Sequence, residues 1–98
     1  MIGLMPLSEA LAMWSPDADE LGCGSDVADI LDLKRQSPHY PRLLAEVCVH
    51  GITVPVHVGP ISAGFRELLD GHHRIAAAAD AGLPVVPWTT VALDARPT

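Results

Sequence analysis

Aromatic side chains are scarce in this chain of 98 residues: two tryptophans, one tyrosine and one phenylalanine make up 4%. The interior must therefore be aliphatic. With 49% apolar and 18% charged residues, the composition is that of a globular chain and not of a disordered one. Cysteine is rare too. Cys23 and Cys48 lie far apart and form no CxxC pair, which excludes a disulfide framework and predicts free thiols in a cytoplasmic protein. Bases are few: six Lys and Arg against twelve Asp and Glu give a net charge of −6. DNA binding rests on neutralising phosphates, so stand-alone DNA binding is not expected. No apolar run reaches the length of a membrane span. The apolar N-terminus lacks a basic stretch and carries Pro6 and Glu9, unlike a secretory signal. Repeats, low-complexity tracts and the GxSxG, Walker A and GxGxxG patterns are missing as well.

What is present fits one domain over residues 1–98. Surface scaling gives a chain of this size about 64% burial on folding, enough for one modest core. Charge is distributed unevenly. Glu9, Asp17, Asp19, Glu20, Asp26, Asp29 and Asp32 precede the first base, Lys34. Between Lys34 and Arg74 the bases outnumber the acids. The later part can tolerate a small anion, whereas the early part repels a polyanion. A solvated acidic face is the simpler reading of the early part, and a docking surface for another protein is the alternative.

The pattern predicts a small α+β domain with a mixed sheet flanked by helices. A first strand covers 2–7, and Ser8 caps a short helix that Ser15-Pro16 ends. Residues 15–25 read as an acidic loop. Ser25 or Asp26 caps a helix carrying Val27, Ile30, Leu31 and Leu33. A third helix begins near Pro41 with the stripe Leu43, Leu44, Val47 and Cys48, which places Cys48 as an inert core thiol, and it ends at Gly51 in a left-handed turn. Strands over 52–58 and 65–69 make a hairpin with a long loop. Asp70-Gly71 then opens a helix over 72–81, ended by Gly82, and a last strand covers 85–91 with Pro87 inside it.

The chemistry concentrates at Asp70-Gly71-His72-His73-Arg74. A strand passes through one glycine into a helix, whose first amides lack intrahelical partners and carry a partial positive charge. Phosphate binds readily at such an end. His72, His73 and Arg74 add up to three cationic donors, and Arg74 can hold a phosphate with two parallel hydrogen bonds. Asp70 can cap the helix, fix a histidine tautomer or reach a metal that arrives with a phosphate. Simpler roles stand beside each: a cap for Asp70, a tight turn for Gly71, an ion pair with Asp70 or Glu67 for Arg74. Adjacent histidines point about 100° apart on a helix, so no histidine metal site is expected.

Gly51-Ile52-Thr53-Val54-Pro55, the Asp70–Arg74 box, the alanines that follow, Gly82 and Val86-Pro87 together resemble the ParB/sulfiredoxin superfamily. The likeness is best over 43–91. It implies a nucleotide or phosphate pocket, with phosphates at Gly71, His72, His73 and Arg74 and the base or ribose along Gly51, Ile52, Thr53 and Pro55. The DGHHR box is similar to that of the free-serine kinases of this superfamily, for whose essential acid Glu9 and Glu46 are the candidates. Sulfiredoxins carry a catalytic cysteine at the place of His72, so sulfinic-acid reduction is not implied.

Three readings follow. The first is a binding module for a small anionic ligand, a nucleotide such as ATP, ADP or CTP with Mg²⁺. The second is a small phosphotransferase or nuclease of the same fold. The third is an interaction protein, phage-encoded and host-targeting, that keeps a relic pocket and docks through its acidic half. The apolar fraction leaves room for a homodimer.

Overall fold

Apolar side chains that cannot be satisfied within single short elements set the architecture of the computed structural model, which describes residues 2–59 and 66–90. Its elements are β1 (Ile2–Pro6), α1 (Leu7–Leu11), α2 (Pro16–Glu20), α3 (Val27–Lys34), α4 (Tyr40–His50), β2 (Val56–Val58), β3 (Leu68–Asp70), α5 (His72–Ala81) and β4 (Val85–Thr89). The strands form one mixed sheet in the order β1-β4-β2-β3. β1 pairs with β4 and β2 with β3 antiparallel, while β2 and β4 run parallel. This is the α+β domain with a mixed sheet that the pattern predicts.

Inward positions alternate as period two demands. Met5 faces Val86 across β1 and β4, and Val56, Val58 and Leu68 complete the buried layer. α5 lies on this layer with Ile75, Ala76, Ala77 and Ala78 all fully buried. A helix buried on so many sides needs small side chains, because α3 and α4 pack against it opposite the sheet. α5 closes with Gly82 in the left-handed region, where Leu83 N–H donates to the Ala78 carbonyl at 2.9 Å.

Four expectations need correction. The helix expected to start after Ser8 starts two residues earlier, at Leu7, with Pro6 and not Ser8 at the cap position. The acidic loop over 15–25 contains α2, which begins after Ser15: the hydroxyl of Ser15 accepts from Ala18 N–H at 3.2 Å, and Pro16 occupies the first helical turn. The strand expected over 52–58 shortens to β2, because Pro55 has no N–H to donate and the Val54 and Pro55 carbonyls are taken by Arg74. Cys48 is exposed, not a core thiol: Val47, its neighbour on α4, is the residue that turns inward. Of the elements bounded by glycine or an acid, α3 starts at Asp26, whose amide donates to the Asp29 carboxylate at 3.0 Å. Gly51 has positive φ (73°) but extended ψ (−168°), so α4 leaves directly into an extended segment. Pro87 lies in an inner strand, tolerated because β2 pairs only with Trp88 and Thr89. The expected turn at 60–64, Phe65 and Val91 lie outside the described residues.

A polar node fastens the C-terminal half of α5. Asp80 accepts from Tyr40 Oη at 2.5 Å and from Arg35 Nε and Nη2 at 3.0 and 3.1 Å. Burial, then the Asp80 carboxylate, pushes the Tyr40 hydroxyl up to about 12, so it stays a donor. The node joins the ends of α3, α4 and α5.

Candidate functional site

Gly71 sets the geometry at the start of α5. Its φ of +118° is open to glycine and strained for other residues. A Cβ there would stand 2.6 Å from Val56 Cγ1, inside contact distance. Close packing on β2 therefore accounts for this glycine. No side chain caps the first turn of α5. Asp70, the last residue of β3, is not the cap. Its carboxylate instead lies 3.3 Å from Arg74 Nη2, one helical turn on.

Arg74 is mostly buried and spans two regions. Nη1 donates to the carbonyls of Val54 and Pro55 at 2.9 and 3.0 Å. The same side chain lines a hollow of about 340 Å³ together with Gly51, Ile52, Thr53 and Val54. α4 supplies the other wall through Leu43 and Val47, with Glu46 and His50 also lining it. Three of the four residues expected beside a base thus share one hollow with Arg74. Pro55 meets Arg74 through its carbonyl and is not part of that wall.

The two histidines diverge, as adjacent helical residues must. His72 turns away from the hollow and is 6% exposed. Its Nε2 lies 2.7 Å from the Ser15 hydroxyl, and its Nδ1 lies 3.9 Å from Asp17 Oδ2. Burial holds its pKa below the ordinary value, ahead of the opposing pull of Asp17. His73 is half-buried, its ring centroid 5.5 Å from that of His39. Burial and then Lys34 lower its pKa as well. Both imidazoles are therefore neutral at neutral pH, and Arg74 is the permanent cation within the box. The expectation of three cationic donors reduces to one.

Ser15, Asp17 and Lys34 were not singled out from the sequence, although they surround His72. Asp17 accepts from Lys34 Nζ at 2.9 Å, which holds its carboxyl below the ordinary range. The signal for Ser15 was its place before a proline, a helix-start pattern obscured by the turn formers after it. Of the two candidate acids, Glu46 reaches the hollow, while Glu9 lies 3.9 Å from Arg66. Among the described residues no three His, Cys, Asp or Glu side chains gather to hold a metal ion, and no helix is long and apolar enough to cross a membrane.

No protein-family model matches the chain, and no curated protein matches it in sequence. Solved structures do. Sulfiredoxin from Arabidopsis thaliana superposes with a TM-score of 0.59 at 22% identity, over 91% of this chain and 82% of that one. A C-terminally truncated chromosome-partitioning protein ParB from Caulobacter crescentus, complexed with CTP-gamma-S, superposes with a TM-score of 0.58 at 22% identity. That match covers 96% of this chain and 46% of the ParB chain. The chain has the fold common to sulfiredoxin and the ParB N-terminal domain.

Proposed function

We propose that the chain binds a nucleotide or another small phosphorylated compound. The phosphate lies at the first turn of α5, against the amides of Gly71, His72 and His73 and the guanidinium of Arg74. The base or sugar enters the hollow beside Gly51, Ile52 and Thr53. One observation carries the reading: Arg74 belongs both to the uncapped first turn of α5 and to the wall of the hollow. A ligand with an apolar ring and an anionic end matches such a pair of neighbours. The hollow is of a size for one ring system, and the ParB structure with CTP-gamma-S supports the choice of a nucleotide. Asp70 then either yields Arg74 to the phosphate or faces the Mg²⁺ that accompanies it.

Calorimetric titration with ATP, ADP and CTP, with and without Mg²⁺, tests the proposal. Wild type is expected to bind at least one of them and to melt higher in its presence, as mass action requires. Arg74→Lys keeps the charge, loses the two-pronged geometry and should weaken binding at least tenfold. His73→Ala alters a half-buried side chain of the same turn and should weaken it less. Heats and melting temperatures indifferent to all three nucleotides would end the proposal. Release of phosphate from a bound nucleotide, lost in Asp70→Ala, would move the reading to a phosphotransferase.

A further inference from the structure

The contacts around His72 tie a separate segment of the chain to the first turn of α5. Residues 15–25 form a closed excursion: Ser15 N–H donates to the Ser25 carbonyl at 2.8 Å, and Cys23 N–H to the Ala18 carbonyl at 2.9 Å. Its base is fixed to the body. Trp14 N–H donates to Arg66, Leu68 N–H donates back to Trp14, and Val27 N–H donates to Met13. The excursion itself buries little. Ser15 and Ala18 are its buried residues, while residues 19–25 are exposed, Leu21 at 59%. Three side-chain ties hold it to the helices below: Asp17 to Lys34 of α3, Ser15 to His72 of α5, and Ser25 N–H to the Asp29 carboxylate of α3 at 3.0 Å. A segment with so little apolar burial opens at low free-energy cost unless its polar ties hold.

The Ser15 tie depends on a proton. Ser15 Oγ already accepts from Ala18 N–H and has no exposed surface. Its own hydrogen is best used on a bare Nε2, which leaves the proton of His72 on Nδ1, facing Asp17. When Nε2 is protonated, the Ser15 oxygen can accept from it through its second lone pair, but the hydroxyl hydrogen loses its acceptor and the new charge sits on a ring only 6% exposed. We propose that residues 15–25 are a strap closed over the first turn of α5 by neutral His72 and released when that imidazole takes up a proton. The groups facing His72 are Asp17 on α2, Lys34 on α3, His73 on α5 and Asp70 at the end of β3. Asp17 and Asp70 favour the imidazolium, Lys34 and His73 oppose it, and burial outweighs them. Asp17 stays ionised over the range in question, since Lys34 holds it low, so its own tie does not titrate there.

Amide hydrogen exchange between pH 8 and pH 5, corrected for intrinsic rates, tests the strap. In wild type the amides of 17–23 should lose protection below the ordinary histidine value of 6.5, by up to about tenfold per pH unit. Amides of 75–79 in α5 should not change. In His72→Gln, which has no titrating ring, the dependence on pH should vanish. Should that variant not fold, imidazole ¹⁵N shifts of the wild type supply the same information: a neutral Nδ1–H tautomer for His72, titrating together with the strap amides. Protection of 17–23 that is flat, or that rises on acidification because His72 closes onto Asp17, would overturn the proposal. So would an identical pH dependence in His72→Gln, or an Nε2–H tautomer.

Discussion

The two ends of α5 are built on opposite terms. At the C-terminal end, Asp80 takes three donors from Tyr40 and Arg35, and Gly82 completes the backbone turn. None of these donors changes protonation near neutrality. At the N-terminal end, no side chain caps the helix, Arg74 is shared among Asp70 and two carbonyls, and His72 makes one tie that a proton can undo. One end of a ten-residue helix is thus fixed by redundant charge-assisted bonds, while the other has no side-chain cap and holds its guanidinium through Asp70 and two carbonyls. On the proposed reading, the ligand belongs at the end whose contacts it can replace.

The largest effect expected is from Gly71→Ala. A left-handed φ and a methyl group 2.6 Å from Val56 combine to cost roughly 3 kcal/mol, read by denaturant titration. Recovery with Val56→Ala in the same chain would locate the clash. Asp80→Ala strands Tyr40 Oη and two nitrogens of Arg35, and should cost about 2 kcal/mol. It should leave exchange in 17–23 unchanged, which sharpens the contrast between the two ends. Acidification acts on the other end. Burial lowers the folded pKa of His72, so the stability tied to its neutral form is complete above about pH 6.5. That stability is then lost as pH falls toward the folded value, at up to about 1.4 kcal/mol per unit, and His72→Gln should flatten this slope. Cys48→Ser should be the smallest, within about 0.5 kcal/mol, and both thiols should react in the native protein.

Much of this architecture could be read from the residues, and the exceptions have physical causes. The span 72–81 was legible because glycines bound it and alanines fill it. The start of α3 was legible as Ser25 or Asp26, and the structure takes Asp26. α2 was not, because five residues give no periodicity, and its start lies among turn formers. The side of α4 that carries Cys48 was misread since Val47 and Cys48 are adjacent, and only packing against α5 decides which turns in. At the site, Asp70 was one of several partners open to Arg74, and the structure pairs the two one helical turn apart. The partner of His72 lies 57 residues away, and no local pattern announces such a contact. The same holds for the wall that Leu43 and Val47 add to Gly51–Thr53.

The pairing of β1 with β4 has a further consequence. Ile2 aligns with Thr89, so the first strand finds its neighbour among the last residues described. During synthesis β1 therefore waits, unpaired, until β4 has been made, and loop closure over that distance precedes any reward from the ladder. β4 also lies between β1 and β2, so until it arrives the sheet has no centre. Emergence of β4 from the ribosome should accordingly be the event that turns a collapsed set of helices into a folded domain.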